Sequence, residues 1–201
     1  MRILTVYQPH ETHSVAFNYT QKMYRDTGII REIVQDYFPG DVFSYTKMVR
    51  EYLGEYEGIV AVMDADVYCG PEQLKRAGEI TKRGYAFVLP YDGRVYENMG
   101  IEPRGPLTDK AVGGIQVYNY GVYRRMCGGE NPNFKIWGDE DIERYERVKK
   151  FMRIPRIKGY ITHYSHVRTE PRHEYAEANL AEANKVGKMT AEEVEEYVKT
   201  W

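Results

Sequence analysis

The distribution of apolar and polar residues predicts short strands that alternate with amphipathic helices. The strongest strand lies at residues 58–67, where a nearly unbroken apolar stretch is typical of a strand covered on both faces. Helical spacing follows it, from Pro71 at the first helical position through Leu74, Ala77 and Ile80. Strands are predicted at residues 3–7, 42–45, 58–67, 85–89, 111–118 and 160–167.

Helices are predicted between these strands and after the last one. They cover residues 15–26, 48–53, 71–84 and 138–150, and two more follow residue 167. The last of these opens with Thr190 and Glu193, which form a capping box. Residues 92–110 are polar and contain several Gly and Pro residues, which predicts a long loop. The pattern favours an α/β fold with a mainly parallel, twisted sheet flanked by helices and with further C-terminal helices.

Charge and composition argue against some binding partners and cellular locations. The chain has 28 Lys and Arg against 30 Asp and Glu, and this net charge of −2 argues against non-specific binding to nucleic acid. The longest apolar run, at residues 58–63, is much shorter than the ~20 residues that span a bilayer. Two cysteines and the lack of a secretory signal favour a reducing compartment. We therefore expect a single cytoplasmic domain over residues 1–201, with no membrane span.

The first candidate site is Asp64-Ala65-Asp66, placed where the strongest predicted strand ends. Ligands of open α/β sheets bind beyond the carboxyl ends of strands, and side chains two residues apart on an extended segment share a face. The motif therefore indicates two carboxylates that face one cation. Acids are also common in turns without any ligand, so both interpretations fit the motif alone.

Two further segments combine glycine, acids and an aromatic residue. Trp137-Gly138-Asp139-Glu140-Asp141 opens a predicted helix, where the helix dipole by itself favours acids. A Trp beside carboxylates also offers an aromatic platform of the kind that binds sugars. Gly113-Gly114 precedes a predicted strand, and such a pair serves either a close backbone approach to a ligand or a simple turn.

The last candidate segment is His163-Tyr164-Ser165-His166-Val167-Arg168. Neutral imidazole is a good ligand for Mn²⁺ and similar ions, whereas a single histidine is more often a surface or hydrogen-bonded core residue. The guanidinium of Arg168 suits a phosphate group, which makes this residue a candidate for nucleotide binding.

Taken in chain order, these motifs resemble those of GT-A glycosyltransferases, nucleotide-sugar-dependent enzymes with one α/β domain. The resemblance covers roughly residues 1–168. It implies that Asp64 and Asp66 form the metal-binding Asp-x-Asp motif for Mn²⁺ or Mg²⁺, with Asp64 also near the nucleotide. His163 or His166 is implied as the later metal ligand, with a preference for His163.

The resemblance also implies the residues around the sugar and the base. Gly113, Gly114, Trp137 and Asp139 are implied to line the donor sugar or the acceptor, and Glu140 and Asp141 to be catalytic. In inverting relatives the residue at the position of Asp141 is the general base, whereas in a retaining enzyme Asp141 or Glu140 would instead orient the acceptor or the sugar. The segment Tyr7-Gln8-Pro9 corresponds to the place where the family binds uracil. Asp139 replaces the second glycine of the family's Trp-Gly-Gly-Glu-Asp, which adds a charge and a side chain near the sugar.

The implied activity is transfer of a hexose from a nucleotide sugar, in the first place a UDP-sugar, to a hydroxyl of a glycan or glycoprotein acceptor. Residues of about 1–110 are then expected to bind the nucleotide, 111–170 the sugar and acceptor, and 171–201 to form C-terminal helices. The chain is short for this family, with little room for an acceptor-binding subdomain, and it shows no membrane anchor like that of secretory-pathway members. It therefore resembles cytosolic microbial or viral members more, including the amino-terminal domain of a multidomain enzyme of large algal viruses that helps to build capsid glycans. A viral member would act in the host cytoplasm.

Two other classes stay compatible with the sequence. Sugar nucleotidyltransferases have a similar core, but they carry a Gly-rich, Arg-containing loop after the first strand, where this chain reads Tyr7-Gln8-Pro9-His10-Glu11. The second class is a non-catalytic module that binds carbohydrate or nucleotide sugars in an enzyme-like pocket.

Overall fold

The computed structural model describes residues 1–7, 11–35, 44–98, 103–108, 110–166 and 174–201. It contains nine strands within these ranges. They are β1 (Arg2–Tyr7), β2 (Glu32–Gln35), β3 (Ile59–Met63), β4 (Val67–Cys69), β5 (Phe87–Val88), β6 (Arg94–Asn98), β7 (Pro103–Thr108), β8 (Ile115–Asn119) and β9 (Tyr160–Tyr164).

The main sheet has five strands in the order β2-β1-β3-β8-β5. Strand β1 pairs in parallel with both β2 and β3, while β8 runs antiparallel between β3 and β5. Four of the five strands therefore point the same way, which confirms the predicted mainly parallel sheet. Because β8 is antiparallel, its first residues lie beside the last residues of β3, and this brings two sequence-distant segments to one edge.

A second sheet of four strands, in the order β4-β9-β6-β7, packs beyond that edge. Strand β9 pairs antiparallel with β4 and parallel with β6. The prediction of a loop at residues 92–110 was therefore wrong, because β6 and β7 form an antiparallel pair within it. Glycine and proline in this segment permit an irregular ladder, whose register shifts between Val95 and Glu97.

The described residues form seven helices, and the sequence pattern did not predict the fourth of them. They are α1 (Glu11–Asp26), α2 (Tyr45–Leu53), α3 (Pro71–Thr81), α4 (Tyr120–Cys127), α5 (Glu140–Lys149), α6 (Ala176–Lys188) and α7 (Ala191–Val198). Helix α4 has Gly121 near its start, which weakens helical propensity, but the side chain of Asn119 accepts from the backbone N–H of Val122 and caps it. The capping box of Thr190 and Glu193 is confirmed at α7.

The strand predicted at residues 42–45 was misplaced. Residues 42 and 43 lie outside the described residues, and Tyr45 begins α2 after Ser44 caps it. The strand that pairs with β1 on its outer side is β2, which the sequence pattern did not predict. Its apolar part is only Ile33-Val34, and polar residues lie on both sides of it. Similarly, the stretch predicted as one strand at 58–67 divides into β3 and β4, because the chain turns at Asp64-Ala65-Asp66.

The core lies on both faces of the main sheet and uses tyrosine extensively. Tyr24, Tyr91, Tyr118 and Tyr123 are at most 1% exposed. Burial at these positions needs a partner for each hydroxyl, and Tyr91, for example, donates to the carbonyl of Gly113 at 2.6 Å. Among the described residues, every helix falls short of the length and apolarity that crossing a bilayer requires.

Candidate functional site

The turn after β3 is held from both sides by backbone hydrogen bonds. The N–H of Asp64 donates to the carbonyl of Gly114 at 2.9 Å, just before β8, and the N–H of Tyr164 donates to the carbonyl of Asp66 at 2.9 Å, at the end of β9. The hydroxyl of Thr20 on α1 donates to the carbonyl of Ala65 at 2.6 Å. Asp64 is therefore held beside the start of β8 and Asp66 beside the end of β9, although the two acids are only two positions apart in the chain.

Asp66 lies against both candidate histidines. Its Oδ2 is 3.2 Å from Nε2 of His163 and 3.1 Å from Nε2 of His166. The antiparallel register that sets His163 opposite Val67 explains this proximity. One possible ligand atom from each of the three residues lies within 4.8 Å of the other two, and all three side chains are only partly buried.

The donor set of this cluster fits a divalent transition ion. One carboxylate oxygen and two imidazole nitrogens make a mixed set that suits Mn²⁺, which accepts both kinds of ligand. Burial favours the neutral acid of Asp66, but its hydrogen bonds with His163 and His166 outweigh burial and hold the pKa of this carboxyl below its usual range. An ionised carboxylate at neutral pH is the form that binds a cation.

Asp64 belongs electrostatically to a second group of acids. Burial, with the nearby charges of Asp141 and Asp66 next in effect, raises the pKa of Asp64 well above its usual value. Burial beside Asp141 raises the pKa of Glu140 to about 7, and Oε2 of Glu140 has no hydrogen-bond partner among the described residues. We refer to Asp64, Glu140 and Asp141 as the acid cluster. It brings the strand β3 motif and the start of α5 together.

One buried cation partly neutralises the acid cluster. Arg144, which is 2% exposed, donates from Nη1 to Oδ1 of Asp141 at 2.8 Å and to Oε1 of Gln116 at 2.9 Å. Its Nε donates to Oε2 of the buried Glu130 at 2.7 Å. Burial raises the pKa of Asp141, and the charge of Arg144 opposes that effect. This set of partners was not predicted; the available signal was the spacing of three residues between Asp141 and Arg144 on one helix.

The two glycines before β8 have different structural roles. A Cβ atom on Gly113 would lie 2.0 Å from Oδ2 of Asp141, so the carboxylate packs directly on this backbone. Gly114 has φ +81°, and a Cβ there would lie 2.9 Å from Cδ1 of Ile161. Gly113 therefore admits the Asp141 side chain, while Gly114 permits the turn and the close packing of β9.

The segment before α5 is held in an unusual backbone conformation. Asp139 has φ +64°, the left-handed region that glycine adopts most easily and that Asp tolerates better than most residues. Asp139 stands where the resembled motif has its second glycine, and glycine adopts this φ without strain. Trp137 is 44% exposed, and its carbonyl accepts from Nδ2 of Asn179 on α6 at 3.3 Å.

The residues expected to bind the nucleotide are only partly described. Tyr7 ends β1 and is 6% exposed, with its ring stacked on Phe17 at a centroid distance of 4.0 Å. Its hydroxyl and that of Ser14 are 3.1 Å apart. Gln8, Pro9 and Arg168 lie outside the described residues, so their placement stays a prediction.

Comparison with known proteins adds little beyond this geometry. No protein-family model matches the sequence, and no curated protein matches it significantly. Among solved structures, the chain is similar to a provisionally assigned nucleotide-diphospho-sugar transferase from Desulfovibrio desulfuricans, with 11% identity, a TM-score of 0.45 and coverage of 94% of this chain and 98% of that chain. A glycosyltransferase involved in the glycosylation of the major capsid of PBCV-1 has 12% identity, a TM-score of 0.41 and coverage of 94% and 98%.

A third similar structure is a provisionally assigned glucose-1-phosphate thymidylyltransferase from Bacillus anthracis, solved in complex with a sucrose. It has 10% identity, a TM-score of 0.42 and coverage of 94% of this chain and 95% of that chain. At these identities and TM-scores, the function has to be inferred from the site itself.

Proposed function

We propose that the protein is a divalent-metal-dependent glycosyltransferase that moves a hexose from a nucleotide sugar, a UDP-sugar, to a hydroxyl of a glycan acceptor. The observation that carries the proposal is the convergence of Asp66, His163 and His166 directly beside the acid cluster. A cation site can neutralise the diphosphate of the leaving group, and a carboxylate that faces a cleft can accept the proton of the acceptor hydroxyl. The reaction needs both functions.

The metal would be held by Asp66, His163 and His166. When bound, Mn²⁺ or Mg²⁺ neutralises the diphosphate charge and so makes the nucleoside diphosphate a better leaving group. The chain's own contribution is to keep Asp66 ionised and fixed, through its backbone bond to Tyr164 and its two histidine partners. Asp64 would bind on the nucleotide side of the same turn.

Asp141 would accept the proton of the acceptor hydroxyl. Its Oδ1 is engaged by Arg144, while Oδ2 packs on Gly113, and the carboxylate is 31% exposed at a cleft of about 320 Å³. As the hydroxyl oxygen forms a bond to the anomeric carbon, the bond from that carbon to the phosphate oxygen breaks. The bonding pair leaves with the nucleoside diphosphate, and the hydroxyl proton passes to Asp141. A single displacement of this kind inverts the anomeric configuration.

The remaining predicted residues would shape the donor site. Gly113, Gly114, Trp137 and Asp139 would lie around the donor sugar, and Glu140 would help to hold its hydroxyls. Tyr7, Gln8, Pro9 and Arg168 would bind the nucleotide. Cytoplasmic location, in the host cytoplasm for a viral protein, and the division into nucleotide, sugar and C-terminal parts stay predictions.

Calorimetric titration with UDP, in the presence and absence of Mn²⁺, tests the proposal. We expect binding that depends on Mn²⁺ and that is lost in Asp66→Asn, which keeps the size of the side chain but removes its charge. Asp26→Asn is a matched control, since Asp26 is an exposed acid at the end of α1 that pairs with Lys22 rather than with two histidines. Equal UDP affinity in wild type and Asp66→Asn would contradict the metal assignment.

Product analysis separates the proposed activity from the other two classes. A glycosyltransferase without acceptor hydrolyses its nucleotide sugar slowly to UDP and free sugar. A nucleotidyltransferase instead joins a sugar phosphate to a nucleoside triphosphate and releases diphosphate. A non-catalytic module would release neither free sugar from nucleotide sugars nor diphosphate from a sugar phosphate and a nucleoside triphosphate, despite Mn²⁺-dependent binding.

A further inference from the structure

A groove along α5 extends from Asp141 away from the acid cluster. Its first part is the cleft of about 320 Å³ that contains Gly113 and Asp141. The second part, about 490 Å³, is lined at its far end by Tyr145 and Arg156. The two parts share Lys110, Val112 and Ile142, so they form one continuous depression, which we name the α5 groove.

The middle of the α5 groove carries an exposed apolar side chain. Ile142 lines both parts and is 49% exposed, although its neighbours on the helix include the buried Glu143 and Arg144. Val112 faces the groove from the segment before β8. An apolar patch between polar walls suits a ligand with one apolar face, such as the C–H face of a pyranose ring.

Arg156 is held in place at the far end. Its Nη1 donates to the carbonyl of Ala111 at 2.9 Å, and its guanidinium carbon lies 5.5 Å from the centre of the Tyr145 ring. A guanidinium has five N–H donors in a fixed plane, and a side chain that is already fixed loses little entropy when it binds a ligand. Arg156 is therefore a ready donor for oxygen atoms of a ligand.

The charges of the groove favour an uncharged ligand. Besides Arg156 and Lys110, the walls contain Asp92 and Glu146, and Asp139 and Asp141 close the other end. Two of these four acids already pair with arginines outside the lining, Asp92 with Arg94 and Asp141 with Arg144. An anion would meet four carboxylates and a cation would meet two basic groups, whereas hydroxyl groups donate to the acids and accept from the bases. A neutral polyol satisfies both kinds of wall.

We propose that the α5 groove binds the acceptor, and that the acceptor residue is an uncharged hexose. Its reacting hydroxyl lies at Asp141, its ring packs on Ile142, and further hydroxyls bind Arg156 and Glu146. The role of Asp141 in this arrangement rests on the proposed function, whereas the sugar groove itself is defined by Ile142 and Arg156.

Saturation-transfer NMR with methyl hexopyranosides tests the groove. The probes are the methyl α- and β-glycosides of glucose, galactose and mannose, with methyl β-glucuronide as the charged counterpart. We expect saturation transfer to at least one hexoside and a weaker response from the glucuronide. Ile142→Ser and Arg156→Gln should each raise the dissociation constant of that hexoside about tenfold, as expected for loss of an apolar contact or a hydrogen bond to a charged group.

Matched controls lie far from the groove. Ile30→Ser changes an isoleucine that is 84% exposed, and Arg125→Gln changes an arginine that is 61% exposed and paired with Glu57. Both should bind the hexoside as wild type does. Because Ile142 is a surface residue, Ile142→Ser keeps the test valid if Arg156→Gln weakens the fold.

Hexoside binding tests the groove, and UDP binding with Mn²⁺ tests the proposed function, so the two claims can fail separately. Absence of hexoside binding, tighter binding of the glucuronide, or wild-type affinity in both groove variants overturns the inference, even if UDP binds with Mn²⁺. Loss of hexoside binding in the groove variants supports it. If UDP then fails to bind with Mn²⁺, the proposed function fails while the sugar groove stands.

Discussion

Nη1 of Arg144 lies 2.8 Å from Oδ1 of Asp141, and both residues belong to the first two turns of α5. The arginine is buried and also pairs with Glu130, so it is a fixed cation rather than a mobile surface group. The pair places a full positive charge beside the one carboxylate of the acid cluster that borders the cleft. Its charge opposes the rise that burial causes in the pKa of Asp141.

Replacement of Arg144 should change the pH dependence of turnover. Burial raises the pKa of Asp141 and Arg144 opposes that rise, so Arg144→Gln should raise the pKa further. The acid limb of the kcat profile should then move to higher pH. Steady-state transfer or hydrolysis assays over a pH series measure this shift.

Arg147→Gln is the matched control for that experiment. Arg147 is an equally buried arginine on α5, but it pairs with Glu143 at 2.7 Å instead of with the acid cluster. Each replacement leaves a buried carboxylate unpaired and should destabilise the fold by about 3–5 kcal/mol. An unchanged pH profile in folded Arg144→Gln would show that Arg144 is only structural.

Asp141→Asn should separate binding from turnover. The amide keeps the shape of the side chain but accepts no proton, and general-base catalysis typically contributes about 10²–10⁴-fold. We therefore expect near-normal UDP affinity with Mn²⁺ and a loss of turnover of that size. Calorimetry and a transfer assay on the same preparation measure both, and wild-type turnover would exclude Asp141 as the base.

The stability of the protein should depend on pH through Glu140. Burial raises its pKa to about 7 in the folded state, above the usual 4.5. A group whose pKa is raised by folding stabilises the fold when protonated, and this contribution is lost as the pH rises through the interval from 4.5 to about 7.

Glu140→Gln removes that titration. Since one pKa unit corresponds to about 1.4 kcal/mol, the stability of the variant relative to wild type should improve by about 3 kcal/mol between pH 4 and pH 8. Urea unfolding at the two pH values measures the difference. Glu51→Gln, at a position 61% exposed on α2, serves as the control. If the free energies of unfolding of Glu140→Gln and wild type differ by the same amount at both pH values, Glu140 is not a buried acid with a raised pKa.

A methyl group at Gly113 should disturb Asp141 directly. The Cβ of Gly113→Ala would lie 2.0 Å from Oδ2 of Asp141, so the carboxylate must leave its present position. Turnover should fall at least about tenfold, because small displacements of a reacting group have large effects on rate, while Mn²⁺ binding persists.

The control for Gly113→Ala is Gly187→Ala on α6, where an added Cβ meets nothing within 4 Å. That change should stabilise the helix by about 0.5–1 kcal/mol and leave turnover unchanged. Thermal unfolding and the transfer assay distinguish the two variants. Full activity in Gly113→Ala would mean that Asp141 tolerates another position.

Asp139→Gly should stabilise the protein. Asp139 has φ +64° and makes no side-chain cap to α5, so glycine loses no cap while avoiding a strain of about 1 kcal/mol. Thermal or urea unfolding measures the gain. A decrease in stability would show that the carboxylate of Asp139 contributes through the helix dipole more than the backbone strain costs.

The sequence alone determined the local elements and the kinds of chemistry available. The unbroken apolar run predicted the central strand, and helical spacing predicted α1 and α3. Acids at one end and basic residues at the other predicted α5, and acids after the strand predicted a cation site. These features were readable because strand and helix periodicities, caps and charges near helix ends depend on residues that are close in the chain. The hairpin of β6 and β7 was missed because its Gly and Pro residues match a loop, and only pairing with β9 makes strands of them.

Which of those residues lie together depends on the tertiary structure. Strand β8 had to run antiparallel beside β3 for Gly113 to lie at Asp141, and β9 had to pair with β4 for His163 to lie at Asp66. The buried pair of Arg144 and Glu130 joins residues that are 14 positions apart and carries no local pattern. Such contacts depend on sheet order and register, which the whole core sets together, and no short segment contains that information.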